Sequence, residues 1–289
     1  MCVMLHNPLY PDHYINIKGI KVRYWTCGRG RKTIVLVHGY TGSVLEWVDN
    51  IPALMRKYKV IALDLPGHGR TDKPDVPYTY DYFCTFLHDF FITLKINKVC
   101  FVGHSMGGAI ALLFATKYPK IVARICIISP AFGLKWPLLL RVLTLPLVGE
   151  LLLRAPTSTD DLQKEFRALT YAYYEYDDIQ LNEYYEFRHS AGYQRAMLRY
   201  LRATLNIFGL NAAGKKLMRS CRKEYPHIRQ PVFLVWGRQD AIIPFKASLW
   251  LRKLLRHVVV WEPDHCGHCA HFEYTDEFNR RLLEFLAGS

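Results

Sequence analysis

Ser105 stands in the run Gly103-His104-Ser105-Met106-Gly107-Gly108, directly after the apolar stretch KVCFVG and directly before the helical run AIALLFATKYP. A serine at a sharp strand-to-helix turn is held in a strained backbone conformation, and the flanking glycines let neighbouring chains approach. Its hydroxyl then projects above the sheet, and the N-terminus of the following helix favours negative charge that develops there. Such a serine does nucleophilic chemistry, but a serine alcohol is weak near neutral pH and needs a base whose tautomer is fixed by a partner.

Both partners are found downstream. Asp240 follows PVFLVWG in WGRQD, and His268 lies in the loop after HVVVWEP. The chain order Ser, Asp, His is the one that goes with this strand-turn-helix nucleophile. The turn after VARICIISP reads Ala131-Phe132-Gly133 and holds no carboxylate, so Asp240 is the candidate acid. His265, His268 and His271 share the run DHCGHCAHFE, where Gly267-His268 gives the tight turn that presents one imidazole to Ser105. The other two are read as structural or exposed. Cys266-x-x-Cys269 among these imidazoles is a zinc alternative, but no second Cys or His pair at a matching spacing occurs. No metal and no cofactor are expected.

Acyl transfer builds an oxyanion that needs preorganised donors. His38-Gly39-Tyr40-Thr41-Gly42 follows a central strand and offers Tyr40 N–H, and Met106 N–H after the nucleophile is the second donor. The dense run Asp64 to Asp72, DLPGHGRTD, lacks the Lys-Ser/Thr end of a phosphate loop and the glycine spacing of a dinucleotide fingerprint. It is read as a structural turn.

These residues need a scaffold, and the sequence predicts an α/β fold with a mostly parallel doubly wound sheet. Nearly continuous apolar runs at 33–39, 59–67, 98–105 and 122–130 alternate with helical patterns, as strands covered on both faces must. Before them 13–19 and 20–28 alternate around Lys18-Gly19, which predicts an antiparallel hairpin on one edge. The core comprises 1–131 and 225–289. The strand pattern stops over 132–224, which is read as an inserted helical cap, and returns at 231–237 and 257–263, with helices over 245–255 and at the end of the chain.

The chain has 289 residues, 51% hydrophobic and 22% charged, enough for one large core and unlike a disordered chain. Its start lacks the features of a secretory signal, and its eight scattered cysteines read as reduced thiols, so a cytoplasmic address is expected. The 38 Lys and Arg against 25 Asp and Glu give a formal charge of +13. Clusters at 29–32, 215–223 and 252–256 show no aromatic-interleaved stripe, so a solvated basic surface is expected and no nucleic-acid partner. WPLLLRVLTLPLVGELLL (136–153) is broken by Arg141, Pro146 and Glu150 and is too short to span a bilayer, which takes about 20 apolar residues. It is read as two short cap helices around a proline turn that line a pocket, with peripheral membrane contact as the alternative.

HGYTGS, DLPGHGRTD, GHSMGG, WGRQD and the CGH loop, in this order, resemble the α/β-hydrolase superfamily over nearly the whole chain. Serine rather than aspartate at 105 disfavours the haloalkane dehalogenase and epoxide hydrolase branches. The run CGHCAHFEYTDEFNRRLLEFL looks particularly like the meta-cleavage product hydrolases, which split carbon–carbon bonds. Two positions depart, because His104 and Cys269 stand where that family has asparagine and tryptophan. The resemblance also implies that Arg188, in YYEFRHS, corresponds to the family's substrate-contacting cap arginine, a plain surface arginine being the alternative. With asparagine and tryptophan missing, cleavage of a carboxylic ester with an apolar acyl group is the leading reading. Carbon–carbon hydrolysis is the second, and a catalytically silent small-molecule receptor the third. Acyl-chain length and oligomeric state stay open.

Overall fold

The structure is a computed structural model that describes residues 10–131, 137–153, 158–172 and 174–288. Phe132, Gly133 and Trp136, which fall in the stretches named above, lie outside these residues, as does Cys2, one of the eight cysteines.

Eight strands form one sheet: β1 (His13–Ile17), β2 (Ile20–Cys27), β3 (Thr33–Val37), β4 (Lys59–Leu63), β5 (Val99–His104), β6 (Val122–Ile128), β9 (Val232–Val235) and β10 (Val258–Trp261). A separate two-stranded hairpin joins β7 (Leu205–Asn206) to β8 (Gly209–Leu210). The order across the sheet is β1-β2-β4-β3-β5-β6-β9-β10, with β1 and β2 antiparallel at one edge and all pairs from β4 onward parallel. The expected α/β fold and its edge hairpin are therefore present. The central strands are rich in β-branched residues and largely buried, β5 from end to end, because helices cover both faces.

Register brings the strand ends level. Val37 of β3 pairs with Gly103 of β5, His104 with Ile128 of β6, Ile128 with Val235 of β9, and Val235 with Trp261 of β10. The loops that follow these strands, carrying Tyr40, Ser105, Asp240 and His268, thus leave the sheet at its carboxyl edge, where open α/β sheets bind ligands.

The helices of the core are α1 (Ile51–Leu54), α2 (Tyr80–Thr93), α3 (Met106–Lys117), α10 (Lys246–Leu254), α11 (Ala270–Glu273) and α12 (Thr275–Ala287). Between β6 and β9 run α4 (Leu138–Val142), α5 (Val148–Leu152), α6 (Thr159–Leu169), α7 (Asp178–Arg188), α8 (Tyr193–Thr204) and α9 (Ala212–Glu224). The segment expected to be free of strands contains the β7–β8 hairpin. Two-residue strands leave no periodicity to read, and Gly209, at φ +112, makes the turn. The aromatic run of this segment packs inward: Phe166, Tyr176, Tyr184 and Phe187 form a buried cluster.

The two short helices expected in 136–153 exist as α4 and α5, but most of their leucines face outward rather than into a pocket, Leu140 being the one that packs on the core. No residue of α4 is buried, and Leu138, Leu139, Leu147, Leu151 and Leu152 are exposed. Gly149 is the local reason: a Cβ there would lie 2.1 Å from the Leu143 carbonyl and 2.8 Å from Leu198, so α5 sits on α8 by its glycine and leaves its leucines outside. No helix among the described residues is long and apolar enough to cross a membrane.

The run Asp64 to Asp72 is a buried scaffold. Asp64 accepts Val44 N–H at 2.7 Å and Arg70 N–H at 2.8 Å. Arg23, fully buried on β2, meets Asp12 at 2.6 Å, Asp64 at 3.4 Å and the Glu183 carboxylate of α7. Arg70 joins through Asp12 at 3.1 Å and Glu183 at 3.3 Å. Buried charges are tolerated only when paired in this way, and this cluster fastens α7 to the sheet edge. Burial raises the Glu183 carboxyl pKa despite Arg23.

Candidate active site

Ser105 sits between β5 and α3 at φ 48° and ψ −110°, a conformation that side chains rarely adopt. Neighbouring backbone over-determines it. Ser105 N–H donates to the Ile128 carbonyl at 2.8 Å, and its own carbonyl accepts Ala131 N–H at 2.8 Å and Ala109 N–H at 3.1 Å. The flanking glycines are needed for approach: a Cβ on Gly107 would lie 2.2 Å from the Val37 carbonyl, and one on Gly103 would lie 2.3 Å from the Gly107 carbonyl. The helix is thereby pressed onto the sheet with the serine at its tip. Among the described residues the Ser105 hydroxyl has no hydrogen-bond partner.

His268 and Asp240 meet. His268 Nδ1 lies 2.8 Å from Asp240 Oδ2, with both residues buried. Asp240 Oδ1 accepts Ile242 and Ile243 N–H, each at 2.9 Å, which aims the other oxygen at the ring. Burial raises the Asp240 pKa, but the His268 contact and the backbone donors outweigh it and hold the carboxyl below the usual range. An ionised carboxylate only accepts, so His268 carries its proton on Nδ1 and leaves Nε2 with a free lone pair.

The loop after β3 is pinned from two sides. Leu65 N–H donates to His38 Nε2 at 3.0 Å, so Nδ1 carries the proton and donates to the Gly39 carbonyl at 2.7 Å. Gly39 N–H donates to both Glu46 oxygens, at 3.1 and 3.0 Å. Tyr40 N–H and Met106 N–H have no hydrogen-bond partner among the described residues, and a Cβ on Gly39 would lie 3.3 Å from Ser105 Cβ. Met106 thus follows Ser105 in the chain, and Gly39, the residue before Tyr40, approaches it in space. The Tyr40 ring stacks on Tyr200 of α8 at 5.3 Å, and its hydroxyl donates to the Met197 carbonyl at 3.3 Å.

Glu46 was missed by sequence reasoning, although a lone carboxylate inside the apolar run Val44-Leu45-Glu46-Trp47-Val48 was a signal. Besides Gly39 it meets His104 Nδ1 at 3.0 Å, and His104 Nε2 lies 3.2 Å from the His268 carbonyl. Both ring nitrogens therefore face oxygen acceptors. One buried strut thus links the Tyr40 loop, the residue before Ser105 and the His268 loop.

Glu273 was also missed. Its carboxylate accepts four backbone N–H groups: Gly267 at 2.9 Å, Cys269 at 3.0 Å, Tyr171 at 2.7 Å and Ala172 at 2.9 Å. His268 N–H itself donates to the Leu169 carbonyl at 2.8 Å. The loop that carries His268 is therefore moored to the end of α6. Glu273→Ala is expected to cost roughly 2–4 kcal/mol in urea melts, because several donors lose a charged acceptor at once. Hydrolytic turnover should fall with it. Glu273→Gln should recover only part of either, since an amide presents one acceptor oxygen where the carboxylate has two.

Arg188 is neither solvent-facing nor free. Its guanidinium is paired with Glu165 through contacts of 2.6 and 3.0 Å, and it lies 5.9 Å from the Phe166 ring. The surface alternative fails because Arg188 ends α7 against the aromatic cluster of the α6–α7 pair. Cys269 is buried, with Sγ 3.9 Å from His104 Nε2, and burial raises its thiol pKa well above the usual value. Cys266 instead faces the Gly267 carbonyl at 3.8 Å. The ligand-type atoms that converge among the described residues are those of Glu46, His104 and His271, within 4.8 Å of one another, and neither thiol joins them. Burial and the two neighbouring imidazoles lower the His271 pKa, so its ring is neutral against Trp47. His265 is exposed beside Tyr171. The seven cysteines among the described residues are free thiols.

Residues 32–275 match the family described as alpha/beta hydrolase fold. The chain is 27% identical over 286 residues to a 2-hydroxy-6-oxo-6-(2'-aminophenyl)hexa-2,4-dienoic acid hydrolase of Metapseudomonas resinovorans, covering 96% of this chain and 91% of that protein. A human monoacylglycerol lipase is 24% identical, with 95% of this chain and 82% of that protein covered. Among solved structures, the carboxylesterase CesB of Bacillus subtilis superposes with a TM-score of 0.77 at 20% identity, over 99% of this chain and 94% of that one. The match over 32–275, on a sheet with this order and a serine at this turn, means that the chain belongs to the α/β-hydrolase fold family.

Proposed function

We propose that this hydrolase cleaves carboxylic esters through an acyl-enzyme, with Ser105 as nucleophile, His268 as base and Asp240 as the residue that orients the base. The observation that carries this reading is the 2.8 Å contact of His268 Nδ1 with Asp240 on a loop that reaches, through His104, the strained turn of Ser105. His268 Nε2 takes the hydroxyl proton as Ser105 Oγ attacks the acyl carbonyl. Tyr40 and Met106 N–H meet the oxyanion. Collapse transfers the proton to the leaving alkoxide, and water, activated by the same imidazole, releases the acid. Residues 132–224 act as a cap over the serine, and the free thiols support a reducing compartment, the cytoplasm.

A second reading, carbon–carbon hydrolysis of a vinylogous diketone, is backed better than the ester by the printed names of relatives such as the Metapseudomonas enzyme. It needs a dienol to be ketonised first, with cationic anchors beyond the triad. Here the two terminal nitrogens of the candidate anchor Arg188 are paired with Glu165, and His104 and Cys269 are held by Glu46 and by each other. These contacts favour the ester. Side-by-side kcat/KM values on p-nitrophenyl acetate, butyrate, octanoate and palmitate and on a 2-hydroxy-6-oxodienoic acid decide it. The ester should be turned over faster by at least about tenfold, a difference of about 1.4 kcal/mol in transition-state binding. A faster dienoic acid would reverse the assignment.

A further inference from the structure

The basic α9 and the outward leucines of α4 and α5 are absorbed by no step above. Leu138 and Leu139 are each 64% exposed, Leu151 70%, Leu147 83% and Phe208 90%. They form one face. Arg141 of α4 donates from Nε to the Ile207 carbonyl at 2.8 Å, which sets Phe208, at the tip of the β7–β8 hairpin, beside α4. Arg202 of α8 donates to the Thr144 and Leu145 carbonyls at 3.1 and 3.2 Å and to the Glu150 carboxylate at 2.7 and 2.9 Å, fixing the turn between α4 and α5. Leu147 projects from that turn in the left-handed region at φ 66°, a costly conformation for leucine.

The same hairpin leads directly into α9, which exposes Lys215, Lys216, Arg219, Arg222 and Lys223. None of these cations has an ion-pair partner among the described residues. Apolar side chains bordered by free cations match a lipid surface that offers hydrocarbon below and anionic headgroups around it. A second copy of the chain is a poor occupant, because it would bring a further +13 against these cations. Nucleic acid would leave the leucines without a role.

We propose that this face, formed by α4, α5 and the β7–β8 hairpin and bordered by α9, docks the protein reversibly on an anionic lipid bilayer. The inference is independent of the bond that is cleaved, since it is read without substrate. The test is cosedimentation of the full chain with phosphatidylcholine vesicles containing phosphatidylglycerol and with vesicles of phosphatidylcholine alone. Binding to the mixed vesicles should exceed that to the neutral ones at least about tenfold and weaken as salt is added. Lys215→Gln/Lys216→Gln/Arg219→Gln should lose about fivefold per cation, equivalent to about 1 kcal/mol each. Leu138→Gln/Leu139→Gln/Leu147→Gln/Leu151→Gln should lose binding to both vesicles. All the replaced side chains are exposed, so both variants should keep the native urea midpoint. Equal sedimentation of the native chain with and without vesicles would overturn the proposal on its own. So would a native dimer that the leucine variant dissociates, because the face would then be covered by a second copy.

Discussion

Alanine at position 105 is expected to lower kcat for p-nitrophenyl butyrate by roughly a millionfold, the scale on which nucleophile removal acts when a triad works as a unit. The change should leave stability almost untouched. The backbone contacts that hold the turn, to Ile128, Ala109 and Ala131, do not involve the side chain, and the hydroxyl has no partner among the described residues to lose. Alanine meets the same backbone restriction at φ 48° as serine, so the strain of the turn remains in the variant. A rate collapse without a shift in the urea midpoint separates loss of the nucleophile from loss of the fold. Retention of more than about one-hundredth of the native rate would refute the role given to Ser105, because donors and binding alone account only for the last about thousandfold over water. A fluorophosphonate should label the native chain and leave the variant unlabelled.

The sheet was legible because burial on both faces forces continuous β-branched runs, and a serine elbow needs glycines at fixed offsets. Ser105, Asp240 and His268 were therefore readable as candidate positions in the loops that follow predicted strands. What holds those positions was not readable. Glu46 accepts Gly39 N–H from nearby in sequence and meets the His104 ring 58 residues away, and Glu273 accepts Gly267 N–H from nearby and Tyr171 N–H from 102 residues away. Neither carboxylate belongs to a motif, because such contacts depend on where chain segments meet and not on local spacing. The outward turn of α4 and α5 was hidden for a related reason. Apolar content signals burial, but it cannot state which face a five-residue helix presents, and here Gly149 decides it.

The Glu46 strut and the Glu273 carboxylate both bear on the proposed mechanism, although each lies away from the proposed reacting atoms. An oxyanion donor contributes only if its N–H is aimed before the charge appears. Gly39 N–H is committed to Glu46, so the next amide, Tyr40, is left to point elsewhere. Likewise the His268 ring can be aimed by Asp240 only while its backbone is fixed, and Leu169 and Glu273 fix it. In the proposed mechanism the helical segment between β6 and β9 therefore helps to hold His268 in place.

Asp240→Asn is expected to lower kcat by about ten-thousandfold with little change in fold. The amide is isosteric, and its oxygen can still accept Ile242 and Ile243 N–H, so that turn survives. Its NH2 then faces His268 Nδ1 and must donate, which moves the imidazole proton to Nε2 and removes the lone pair that takes the Ser105 proton. KM should change little, because Asp240 is not assigned a contact with substrate. Asp240→Ala would add a stability loss to the rate loss, so the two variants divide orientation from anchoring. Acid supplies an independent check. Because the native carboxyl lies below its usual range, its stabilisation is present above the unfolded value of about 3.9 and is lost as pH falls through the lower folded value. The asparagine variant cannot titrate there, so between neutral pH and about pH 3 its urea midpoint should fall less than that of the native chain. Equal acid loss in the two proteins would mean that Asp240 is not held ionised by His268, and the orienting role would fail with it.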